Sequence, residues 1–152
     1  PALLPGTLVK AVLVNGKPVK FTVEEQHESV LVKLPGLRIG EKTTIEIAHE
    51  GGIGVLPLVN IPAPGDPNQG AKIVSQELGS GGFRVGVEGI PGRKYSFRLI
   101  SNRPLSGVTN GTITPAGPEN PHMYTVDLTI PAEKGKYAVR EVVIDYPSDP
   151  TR

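Results

Sequence analysis

The chain reads as an all-β protein, an antiparallel β-sandwich built from two packed β units. Three observations predict this. Apolar residues alternate with polar ones at a period of two, as in half-buried strands, and sustained helical periodicity is absent. The 19 glycines and 16 prolines are spread between apolar runs as turn punctuation instead of forming one tract. One pattern occurs twice. Val14-Asn15-Gly16, an apolar stretch ending in Leu34-Pro35 and a Gly40-led strand through Ile47 are echoed by Thr109-Asn110-Gly111, a stretch ending in Ile130-Pro131 and a Gly135-led strand through Val142.

Taken in order, the first strands are expected at 7–14 and 17–24. Asn15-Gly16 between them is a type I′ hairpin signal, because both central residues must tolerate positive φ. Within 17–24, Val19, Phe21 and Val23 alternate with Lys20, Thr22 and Glu24. Strands at 29–34 and 42–48 complete a first unit of about fifty residues. A unit that small buries only about 60% of its unfolded surface. It is expected to dock on the second half or on another domain.

Residues 51–70 read as an apolar then Pro/Gly-rich connector. Its apolar part, 53–61, has two readings. The favoured one is a buried strand crossing between sheets, since apolar runs are usually core. The other is a hydrophobic contact with a neighbouring domain. Ile53, Val55, Leu56 and Leu58, with Tyr146 near the C-terminus, are the candidate ligand or interdomain contacts. Residues 71–152 read as a β-sandwich module. Phe83, Val85 and Val87 alternate, as do Tyr95, Phe97 and Leu99, and Tyr124, Val126, Leu128 and Ile130 form the longest clean case. The last strand slips phase: Val139 fits one face, Val142 and Ile144 the other. A bulge near Arg140 and Glu141 reconciles them, or the strand is an end strand buried on both sides. In all, about eleven strands are expected at sandwich spacing. The second copy of the repeat carries two additional strands, around Phe83 and Tyr95.

Composition narrows function mostly by exclusion. The 152 residues carry a net charge of +1, with 20% charged residues interspersed in sign. No basic stripe of the kind that tracks nucleic acid is visible. The apolar stretch 53–61 is too short and too broken by Gly and Pro to span a bilayer. Cysteine is absent, which removes disulfides and thiolate metal sites. The chain opens at Pro1 without Met or an apolar leader, as expected of a processed or excised piece of a longer polypeptide.

Reactive constellations do not assemble in the sequence. His27, His49 and His122 are not at ligand spacing, and His27 lies in a charged hairpin loop. Gly79-Ser80-Gly81-Gly82 departs from the nucleophile-elbow pattern and reads as a hairpin loop. Gly89-Ile90-Pro91-Gly92-Arg93-Lys94 lacks the Gly-Lys-Ser/Thr ending of a phosphate loop and reads as a turn. Glu46, Glu88, Asp127 and Glu141 read as outward strand residues, not as a glycosidase pair. Asp66-Pro67-Asn68 and the acidic run at 145–149 carry oxygen donors of the kind Ca²⁺ accepts, at lower density than a dedicated loop. Asn110-Gly111-Thr112 matches the glycosylation sequon and is also the expected hairpin turn of the second copy. No catalytic residue, cofactor or metal is expected. A sugar-binding face would need an aromatic platform, and four Tyr, three Phe and no Trp make a sparse set. Tyr95 and Phe97 are in phase with Leu99 and read as core.

The 82–99 segment with its Gly89-Ile90-Pro91-Gly92 turn, followed by the strands at 124–131 and 137–145, resembles the C-terminal immunoglobulin-like β-sandwich accessory modules of bacterial secreted glycoside-active enzymes. The Asn15-Gly16 hairpin, Leu34-Pro35 and the 40–47 strand are similar to β pieces that close such enzymes. No catalytic residue of any family maps onto the chain. The resemblance implies an extracellular or periplasmic, non-catalytic role beside a neighbouring domain of the same polypeptide. A carbohydrate- or surface-ligand-binding module is the alternative, with polysaccharide as partner.

Overall fold

A computed structural model describes residues 1–26, 28–56 and 69–147. Their regular structure is all β, and every strand pairing is antiparallel. The first unit holds β1 (Ala2–Leu3), β2 (Thr7–Val14), β3 (Lys17–Pro18), β4 (Thr22–Glu25), β5 (Val30–Lys33) and β6 (Ile45–Gly51). They form two three-stranded sheets, ordered β1-β5-β4 and β3-β2-β6. The second unit holds β7 (Ile53–Leu56), β8 (Lys72–Gly79), β9 (Gly82–Gly89), β10 (Lys94–Ser101), β11 (Val108–Thr109), β12 (Thr112–Pro115), β13 (Met123–Thr129) and β14 (Ala138–Ile144). These form two four-stranded sheets, β12-β13-β10-β7 and β11-β14-β9-β8.

The second sandwich follows from the alternation. Phe83, Val85 and Val87 on β9 and Val142 and Ile144 on β14 are buried against Phe97 and Leu99 on β10 and Tyr124, Val126 and Leu128 on β13, with Ile130 just beyond. Each such side chain contributes roughly 1.5–3 kcal/mol of burial. The two strands expected around Phe83 and Tyr95 are β9 and β10, the inner strands of the two sheets. Ile53 is fully buried in the same core, so the apolar start of the 51–70 stretch is an edge strand paired with β10.

The first unit has a much thinner core. Among the described residues its fully buried apolar side chains are Val12, Val30 and Val32. Leu4, Leu8, Val23 and Ile39 remain exposed, Ile39 at 77%.

Local chemistry explains the corners. Asn15 and Gly16 have φ of 49° and 75°, the paired positive values of a type I′ turn joining β2 and β3. Ser80 and Gly81 form the two-residue turn of the β8–β9 hairpin, where Gly79 pairs Gly82.

Four expectations need correction. The strand at 17–24 is two strands in different sheets: β3 pairs β2 and β4 pairs β5, with the chain crossing between sheets at 19–21. Pro18 lies opposite Leu13 at a non-hydrogen-bonded position, and Val19 N–H still donates to the Val12 carbonyl at 3.1 Å before the chain leaves for the other sheet. Val23 is consequently exposed and not a core residue. Asn110-Gly111 is no hairpin turn: β11 lies in one sheet and β12 in the other, so it is a crossover. Asn110 takes φ 67°, and a side chain on Gly111 would meet the Asp127 carbonyl oxygen at 2.7 Å. Finally, β14 has no bulge at Arg140 and Glu141 and is not an end strand. It runs in unbroken register from Ala138↔Gly89 to Ile144↔Phe83, between β9 and β11. Val139 points outward and is 53% exposed, while Arg140 shares the inward register with Ala138 and Val142. The bulges fall instead between Val9 and Ala11 on β2 and between Ile73 and Ser75 on β8.

The repeat survives these corrections in one respect. In both copies a hairpin in one sheet (β4–β5, β12–β13) is followed by a strand in the opposite sheet (β6, β14).

Candidate functional site

The two units meet at a polar seam. Its first side is the 4–7 bend, which leads from β1 into β2. Ile53 N–H donates to the Pro5 carbonyl at 3.1 Å, and Thr7 Oγ1 donates to the Leu4 carbonyl at 2.7 Å. Its second side is the corner after β10. Asn102 N–H donates to the Gly52 carbonyl at 3.1 Å, and its Nδ2 donates to the Gly51 carbonyl at 2.9 Å. Tyr146, just past β14, closes the seam. Its Oη accepts from Gly52 N–H at 2.8 Å and donates to the Gly6 carbonyl at 3.4 Å. The Arg103 guanidinium lies 5.9 Å from the Tyr146 ring centroid and donates to the Pro147 carbonyl at 3.1 Å.

Glycine makes this approach possible. Gly51 has φ 70°, and a side chain there would meet the Gly6 carbonyl oxygen at 2.6 Å. The buried polar side chains among the described residues, Thr7 and Ser101, both lie at the seam. Ser101 is satisfied by donating to the Arg103 carbonyl at 2.7 Å.

Of the five candidate contact residues, Tyr146 joins the units through its side chain and Ile53 through its backbone N–H. Ile53 is core, Val55 packs against the core and Leu56 is half-buried on β7. Leu58 lies outside the described residues. Asn102, Arg103 and the 4–7 bend had no sequence signal, because loops that meet through folding carry no periodicity.

Two hollows flank these elements. A cleft of about 490 Å³ lies between the units, lined by Thr7, Leu8 and Gln26 on one side and Leu78, Arg103 and Tyr146 on the other. A more open groove of about 780 Å³ lies on the second sandwich. Its floor is the outer face of the β12-β13-β10 sheet. Ser96, Asp127 and Thr112 form one cross-strand row and Lys94 and Thr129 the next. Ser96 Oγ hydrogen-bonds Asp127 Oδ1. Arg140 reaches the groove from the opposite sheet.

The remaining sequence candidates stay apart. His49 is exposed on β6, and His122 is exposed before β13. His27, Asp66-Pro67-Asn68 and residues 148–149 lie outside the described residues. No group of three or more His, Cys, Asp or Glu gathers to hold a metal among the described residues. Glu46 is on β6, Asp127 on β13, and Glu88 and Glu141 are on β9 and β14. Glu88 pairs with Lys72 at 3.8 Å.

The aromatic side chains mostly build the fold. Phe83, Phe97 and Tyr124 are buried. Tyr95 is half-buried; its Oη accepts from Ile90 N–H at 3.0 Å and donates to the Gln69 carbonyl at 3.2 Å. Tyr137 alone is exposed, with Lys136 over its ring. One exposed ring is not a stacking platform.

Glu24 is held below the ordinary glutamate value, chiefly by its hydrogen bond from Lys33 across the β4–β5 hairpin and then by Gln26. No protein-family model, curated protein or solved structure matches the chain.

Proposed function

We propose that the chain is a non-catalytic structural and accessory module of a larger secreted bacterial protein, a carbohydrate-active enzyme, in which it packs against and positions a neighbouring domain. Its second sandwich takes the immunoglobulin-like role expected from the sequence resemblance. One observation carries the reading. Among the described residues, the first unit fully buries only Val12, Val30 and Val32 of its apolar side chains, yet leaves Leu4, Leu8, Val23 and Ile39 exposed. A unit this thin gains stability from apolar cover, and its seam with the second sandwich is made chiefly of hydrogen bonds. Fold analogy sets the enzyme context. The test is to express the parent polypeptide with and without this segment. Reduced stability or activity on deletion supports the role, and unchanged values of both reject it.

A second reading, a polysaccharide-binding module, is favoured by the open polar groove on the second sandwich.

A further inference from the structure

The groove contains a charge that the fold does not use. Arg140 occupies the inward register of β14, flanked along that register by buried Ala138 and Val142. Its Nε is buried without a hydrogen-bond partner. No other described side chain forms an ion pair or hydrogen bond with the guanidinium. Arg140 is half-buried with its Nε enclosed and unpartnered, and an apolar residue of similar volume would serve the fold at this position as well or better. Lys94, the second cation of the groove, likewise has no ion-pair partner among the described residues. Among the described residues of the lining, Asp127 is the one carboxylate, and it already accepts from Ser96. The groove is therefore net cationic. Its floor offers hydroxyls from Thr112 and Thr129 and a carboxylate able to accept further hydrogen bonds.

We propose that this groove binds a carboxylated polysaccharide, with the acid groups meeting Lys94 and Arg140 and the ring hydroxyls meeting Asp127, Thr112 and Thr129. The ligand must bring acceptors of negative charge for two unpaired cations and also donors for Asp127. A uronate ring carries both on one unit. An acidic peptide supplies the charge, and its backbone N–H groups can donate, but its side-chain carboxylates are set against Asp127, whereas the ring hydroxyls of a uronate bring donors without further charge. The proposal rests on the polysaccharide-binding reading and adds the charge class of the sugar and the residues that select it.

The test is affinity electrophoresis and calorimetry at low ionic strength, where charge contacts are least screened. The full chain is titrated with polygalacturonate, its fully methyl-esterified form, a neutral glucan and polyglutamate. Polygalacturonate is expected to bind saturably and to weaken as salt rises, with the methyl ester at least about tenfold weaker. Lys94→Gln and Arg140→Met are each expected to lose about tenfold in affinity, while Lys20→Gln on the first unit loses nothing. Circular dichroism of Arg140→Met should match the parent, and Lys94→Gln, an exposed change, keeps the test independent of folding. Equal binding of the methyl ester or the glucan overturns the acid specificity while leaving the polysaccharide reading standing. Absence of binding to any saccharide rejects both. Polyglutamate binding as tightly as polygalacturonate, or both variants binding as the parent does, overturns the proposed site.

Discussion

Tyr146→Phe removes one oxygen from the seam and leaves the ring in place. The ring keeps its packing against the core and its position under Arg103. What is lost is the acceptor for Gly52 N–H at 2.8 Å and the donor to the Gly6 carbonyl at 3.4 Å. Gly52 is buried, so its N–H is left without an acceptor. Leaving a buried donor unsatisfied costs about 1–3 kcal/mol, and the longer second bond adds little. The expected loss is therefore about 2 kcal/mol. For a chain of this size each kcal/mol shifts Tm by about 2–4 °C, which gives a fall of about 4–8 °C. Thermal and urea unfolding followed by far-UV circular dichroism measure it. A change below about 0.5 kcal/mol, the range of ordinary surface substitutions, would refute the claim that this hydroxyl ties the units together.

Three further outcomes follow from the same structure. Gly51→Ala places a side chain at φ 70° and 2.6 Å from the Gly6 carbonyl oxygen, and urea titration should show a loss of at least about 2 kcal/mol. Phe97→Ala opens the centre of the second sandwich and should cost about 3–5 kcal/mol by the same titration. Glu24 has a lowered folded-state pKa, so the folded state binds fewer protons there. Its small contribution is complete above the ordinary glutamate value and fades as pH falls through the lowered one. An NMR titration of the Glu24 carboxyl should show the lowered midpoint in the parent and its rise toward the ordinary value in Lys33→Met, with the Gln26 hydrogen bond still holding it somewhat down.

The sequence made the strands of the second sandwich legible because their burial is one-sided. Phe83, Val85 and Val87, or Tyr124, Val126 and Leu128, alternate cleanly on strands with one inward face. It failed where the chain changes sheets. A strand that switches partners after Val19 keeps its local alternation through Val23 even though the inward direction has changed. Asn110-Gly111 carries the same residue pair as a hairpin turn, but which sheet the next strand joins is decided by distant pairing with β13. On β14 the phase was misread because Val139 is apolar and outward while Arg140 is charged and inward. The seam was illegible for a different reason. Tyr146 and Gly6 lie 140 residues apart, and their contact depends on loops with no periodic signal. Tyr146 stood out only as an aromatic near the C-terminus.

Native-state hydrogen exchange of the full chain tests the central claim most directly, namely that a well-packed second sandwich supports a thin first unit through the Tyr146 seam. Amides of β9, β10, β13 and β14 should exchange slowest, through global unfolding. Those of β2, β5 and β6 should exchange through a partial opening at lower free energy, and faster still in Tyr146→Phe. Equal protection of both units, or first-unit exchange unaffected by Tyr146→Phe, would contradict the account.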